Sequence, residues 1–80
     1  MKVRPIKAIR LMLSVTQEAF ADALQVHQTN VSHYERGQTV PPVVAGRLIE
    51  YAAGFGLRLT YGQVYGAETL PHWTREGEKA

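Results

Sequence analysis

Residues 17–36 read QEAFADALQVHQTNVSHYER. Phe20, Ala21 and Leu24 form the apolar stripe of a short helix. Just upstream, Thr16 can accept a bond from that helix's free N–H groups, and Glu18 in its first turn suits the positive end of the helix dipole. Gln25, Val26 and His27 then read as a tight connection. Val31 and Tyr34, three residues apart, mark the inward edge of a second short helix, which Gly37 can end in the left-handed conformation. The expectation is two short helices joined by a turn of about three residues. Ala21 falls at their crossing, where a larger side chain would push them apart, and Val26 plugs the turn.

With Val31 and Tyr34 inward, Gln28, Thr29, Ser32 and His33 face outward together, at i, i+1, i+4 and i+5. Short polar side chains on one exposed helical face suit hydrogen bonding to base edges in a major groove. Gln28 has the shape for a bidentate contact to adenine. Catalysis finds no support. The acids are scattered, and neither Ser14 nor Ser32 lies on a glycine-rich nucleophile turn. His27 and His33 are six residues apart and cannot share a metal as i, i+4 histidines would, and His72 is far away in sequence. No catalytic residue, metal ligand or cofactor is expected.

The flanking sequence extends the helical pattern. Pro5 can open a helix, where its missing N–H costs nothing, and Ile6, Ile9 and Leu13 share one face of it. Lys7 and Arg10 lie on the other side, and Ser14-Val15 interrupts the pattern. Residues 38–42 read as a loop, since Pro41 and Pro42 fit only the first turn of the next element. Ala45, Leu48, Ile49, Ala52 and Ala53 then trace the clearest amphipathic helix, which Gly54-Phe55-Gly56 ends.

Residues 57–65 carry two readings. Leu57, Leu59 and Tyr61 alternate with Arg58 and Thr60, as a strand would. Thr60 can instead cap a short helix carrying Val64 and Tyr65, although Gly62 weakens it, and the helix is the favoured reading. Residues 67–80 read as a polar tail, ordered only if Leu70 or Trp73 finds something to pack on. The fold class expected is all-α, a compact bundle of about five short helices over residues 1–66.

Composition sets the outer limits. Eighty residues support one domain, and the apolar fraction of 45% with 20% charged residues is that of a globular chain rather than a disordered one. The absence of cysteine removes any disulfide framework or thiolate metal site and fits a reducing, intracellular setting. No apolar run approaches the roughly 18–20 residues of a membrane span. Residues 1–65 hold seven Lys/Arg against four Asp/Glu, whereas residues 66–80 hold two against three. A basic body suits a polyanionic partner, though an ordinary solvated surface gives the same balance. Lys2 and Arg4 read either as an arm reaching around a duplex or as a solubilising terminus.

Over roughly residues 6–66 the sequence resembles the Cro/repressor group of phage and bacterial helix-turn-helix regulators, the Xre type. The resemblance rests on Thr16-Gln17 opening the second helix, the Ala21, Val26 and Val31 triplet, the Tyr34-Glu35-Arg36-Gly37 ending and the proline-started fourth helix. It implies a lambda-repressor-like domain in which Gln28, Thr29, Ser32 and His33 read bases. Thr16, Gln17, Asn30 and Arg36 match positions that grip phosphates, and Arg10 and Glu35 match a structural ion pair. Two departures stand out: Gln25 replaces the usual turn glycine, so that either it adopts a left-handed conformation or the turn differs, and His27 replaces the usual Ser/Thr cap.

The resemblance further implies a cytoplasmic regulator of transcription that binds double-stranded DNA, expected to be a repressor. A single module buries little DNA, so a homodimer on a pseudo-palindromic operator is expected, with half-sites about 10 base pairs apart. Its dimer surface is expected at residues 55–65, through exposed Phe55, Leu57, Leu59 and Tyr61. With no ligand domain in view, control would come from protein concentration. The alternatives are an antitoxin that binds operator DNA and a toxin protein through its tail, and a protein-interaction module that has lost its hold on DNA. No membrane partner is expected.

Overall fold

The first helix, α1 (Pro5–Leu13), starts on the proline and buries Ile6, Ile9 and Leu13. The computed structural model describes residues 4–73, so Lys2 and residues 74–80 of the tail lie outside the described residues. The remaining helices are α2 (Gln17–Leu24), α3 (Gln28–Glu35), α4 (Pro42–Gly54) and α5 (Tyr61–Tyr65). The architecture is the all-α, five-helix bundle expected. Helix α2 packs on α3 and α4, while α1 packs on α3 and α5. The side chains of Ile9, Leu13, Phe20, Leu24, Val31, Leu48, Leu57 and Val64 meet in the centre.

All five helices close alike. A residue just past the helix takes a positive φ, and the next N–H reaches back five residues to a carbonyl, as Val15 does to Arg10 and Val26 to Ala21. Glycine occupies that position at Gly37, Gly56 and Gly66. The other two are Ser14 (φ +58°) and Gln25 (φ +60°), where a side chain is held in the left-handed region. Of the two alternatives at Gln25, the structure takes the left-handed residue rather than a different turn; the same geometry at Ser14 is not legible in the sequence.

Helix starts are varied. The Thr16 hydroxyl accepts the Ala19 N–H at 3.0 Å, whereas Arg4, His27 and Pro41 make no side-chain cap. A full capping box opens α5: the Thr60 hydroxyl accepts the Gln63 N–H at 3.1 Å, and the Gln63 carbonyl oxygen accepts the Thr60 N–H at 3.0 Å.

Residues 57–60 form no strand and α5 follows them with Thr60 as its cap, so the short-helix reading of 57–65 is the one the structure bears out. The expected exposure of Leu57 and Leu59 is corrected: they are 1% and 7% exposed. The alternation turns both leucines into this chain's own core while Arg58 and Thr60 face solvent, because a domain this small needs every large apolar side chain. Phe55 is half-buried, edge-on to Tyr51 at 5.1 Å, and only Tyr61 of the four stands exposed. In α4 the stripe also shifts: Val44 is buried with Ala45, Leu48 and Ala52, while Ala53 is exposed.

Cross-links fix the outer elements. The Arg47 guanidinium donates to the Leu24 carbonyl at 3.2 Å, satisfying the end of α2, and the Tyr65 hydroxyl donates to the Val40 carbonyl at 2.5 Å. After α5 the chain turns back: Gln63 donates to the Thr69 carbonyl at 3.0 Å, Thr60 bonds Glu68, and Leu70 and Trp73 pack half-buried on the core.

Candidate nucleic-acid interface

Helix α3 is anchored from one side and open on the other. Val31 and Tyr34 are buried, so the helix presents Gln28, Thr29 and His33 to solvent with Ser32 half-buried between them. Gln28, Thr29 and Ser32 share one open concavity with Gln17 from the start of α2 and with Arg36. The Arg36 guanidinium donates to the Ser32 hydroxyl at 2.9 Å, which lays this cation along the same face.

Beneath the concavity lies Glu35, the one charged residue buried among the described residues. Arg10 reaches it from α1 through Nε and, at 3.4 Å, through Nη2; Nη1 donates to the Val15 carbonyl at 3.0 Å. The ion pair expected from the resemblance is therefore present. Gln17 adds a third donor, its Nε2 lying 2.9 Å from Glu35 Oε1, and Gln28 Nε2 lies 3.4 Å from Gln17 Oε1. A polar chain thus runs from α1 through Glu35 to two side chains of the exposed face.

The electrostatic consequence is simple. Glu35 is the only acid in α3, and it is buried against a guanidinium, so the outer face of the helix carries no carboxylate. That is the condition a polyanion sets. Thr16 and Asn30 stand at the margins: the Thr16 hydroxyl oxygen caps α2 yet keeps its proton to donate, and Asn30 is half-buried on the flank of α3. Among the described residues no group of three His, Asp or Glu is arranged to hold a metal ion, and no helix is long and apolar enough to cross a membrane.

Sequence reasoning missed two contacts. The Gln17–Glu35 bond joins residues 18 apart and leaves no periodic trace. The second sets the Arg4 guanidinium against Gly37, at the end of α3.

Two short helices packed across a tight turn, the second turning a polar face outward with its one acid buried, define a helix-turn-helix protein. Residues 6–61, most of the chain, match the helix-turn-helix family, and the chain belongs to that family, in its Cro/repressor, Xre-like type. It is a DNA-binding regulator of transcription, in a family of regulators rather than of enzymes. No curated protein and no solved structure matches it.

Proposed function

We propose that the protein is a sequence-specific repressor acting in the cytoplasm as a homodimer on a pseudo-palindromic operator, with α3 in the major groove. The observation that carries this reading is the polar chain at Glu35, which orients Gln17 and Gln28 toward an exposed, acid-free helical face. Gln28, Thr29, Ser32 and His33 read base edges, and Thr16, Gln17, Asn30 and Arg36 hold backbone phosphates. Occupying the operator excludes other proteins from it, so repression needs no ligand.

The dimer surface narrows once Leu57 and Leu59 belong to the core. Tyr61, 53% exposed, and Val43, 64% exposed, line one groove between α4 and α5 with Gly46, Arg47, Ile49 and Glu50. Arg47 and Glu50 are three residues apart on α4. The groove thus carries one basic and one acidic side chain beside its apolar residues, the composition a self-complementary twofold surface needs.

The test is selection of bound duplexes from a randomised pool at near-physiological salt, followed by sequencing. The expected result is a two-armed motif with half-sites about one helical turn apart. Gln28→Ala should relax particular base positions, at about 1–3 kcal/mol each. A pool with no enriched motif overturns the reading.

A further inference from the structure

Arg4 precedes α1 in an extended conformation and its side chain caps nothing on its own helix. Instead it crosses to the end of α3. A Cβ built on Gly37 would lie 2.9 Å from Arg4 Cζ and 3.2 Å from both Nε and Nη2. The order of those distances gives the orientation. If the guanidinium met Gly37 through its N–H edge, the nitrogens would be nearest; the central carbon is nearest, so the planar face lies over the bare Cα. The N–H donors of Arg4 therefore point sideways, away from Gly37 and available to an anion.

Three further observations bear on what that anion is. Arg4 is exposed, and among the described residues the only ion pair is Arg10–Glu35, so no described carboxylate neutralises it. Arg36, next to Gly37 in the chain, carries a second exposed guanidinium, already laid along the reading face through Ser32. Finally, Gly37 has φ +114° and its missing Cβ is what lets Arg4 approach, so platform and cation fit each other. Two exposed guanidinium groups therefore stand at the end of α3, each with the fork-shaped donors that bind phosphate oxygens in pairs.

We propose that Arg4, held face-on over Gly37, is a phosphate-binding residue that extends the DNA footprint past the C-terminal end of α3, beside Arg36. The inference rests on the DNA-binding reading of α3. The competing role is a cation that merely offsets the negative end of the α3 dipole, which would affect folding alone.

The experiment is fluorescence anisotropy of the full chain on a labelled, mixed-sequence duplex about two helical turns long, repeated across a salt series. Removing one phosphate contact lowers the slope of log K against log salt by about 0.9. Arg4→Gln should therefore reduce the slope by about that much for each chain bound, and Arg4→Lys should keep it. Lys7→Gln, which removes an equal charge from the exposed side of α1, should keep the parent slope. Gly37→Ala should behave as Arg4→Gln, with thermal melting to show that it folds. If the parent binds but Arg4→Gln has the parent slope, the proposal is overturned and the DNA-binding reading stands. The same holds if Arg4→Gln lowers only the melting temperature. If the parent ignores the duplex even at low salt, both fall together.

Discussion

Replacing Glu35 by alanine takes away the acceptor for two side chains at once. The Arg10 and Glu35 side chains are 14% and 6% exposed, so the guanidinium left behind is a largely buried, unpaired cation. Breaking a buried pair on one side costs about 3–5 kcal/mol. Arg10 keeps its bond to the Val15 carbonyl and some contact with water, which places the cost at the low end, about 3 kcal/mol. For a domain of this size each kcal/mol moves the melting temperature by roughly 4–8 °C, so Glu35→Ala should melt roughly 12–24 °C lower by circular dichroism.

The paired replacement Arg10→Met with Glu35→Leu separates stability from positioning. It removes both charges and fills the space, and should melt within about 1 kcal/mol of the parent or above it. Its DNA affinity should still drop about tenfold, because Gln17 no longer has the carboxylate that orients it. A Glu35→Ala protein melting within about 4 °C of the parent would refute the reasoning, since the pair would then be worth no more than an exposed one.

Two further outcomes are expected. Gln25→Gly relieves a left-handed side chain in the turn and should raise stability to urea by about 1 kcal/mol without changing the operator selected; no gain would mean that the Gln25 side chain makes a compensating contact of its own. Val43→Glu places a charge in the exposed groove between α4 and α5 and should shift the protein to monomer in a sedimentation dilution series; a dimer of parental strength would exclude that groove as the interface.

Helix faces were legible because the period of the apolar residues is a property of the chain alone. Ile6, Ile9 and Leu13, or Phe20, Ala21 and Leu24, announce a buried side wherever they are met. Periodicity gives direction and not depth. The alternation at Leu57 and Leu59 tells that both point the same way, and leaves open whether that way leads to the chain's own core or to a second copy. Ser14 was unreadable for another reason: serine adopts the left-handed region only under tertiary constraint, so nothing local marks it, whereas a glycine would. On the outer face of α3, the four polar residues could be inferred from the inward placement of Val31 and Tyr34, but the carboxylate beneath them joins three helices that only packing brings together.

That carboxylate also decides how the glutamines are turned. An ionised carboxylate only accepts, so Gln17 must give Glu35 its amide nitrogen, and its oxygen is then left to face Gln28. Gln28 must answer with an N–H. Its Nε2 carries two hydrogens, and one remains, next to a carbonyl oxygen that no described side chain engages. The free edge of Gln28 therefore offers one donor and one acceptor side by side. With α3 in the major groove as proposed, that edge matches adenine, which presents N7 as acceptor and N6–H as donor. It cannot make a two-point match to guanine, whose N7 and O6 both accept. Glu35, a buried acid, would thus fix how the Gln28 edge is presented, and losing it should blur the preference for adenine even in a protein that still folds.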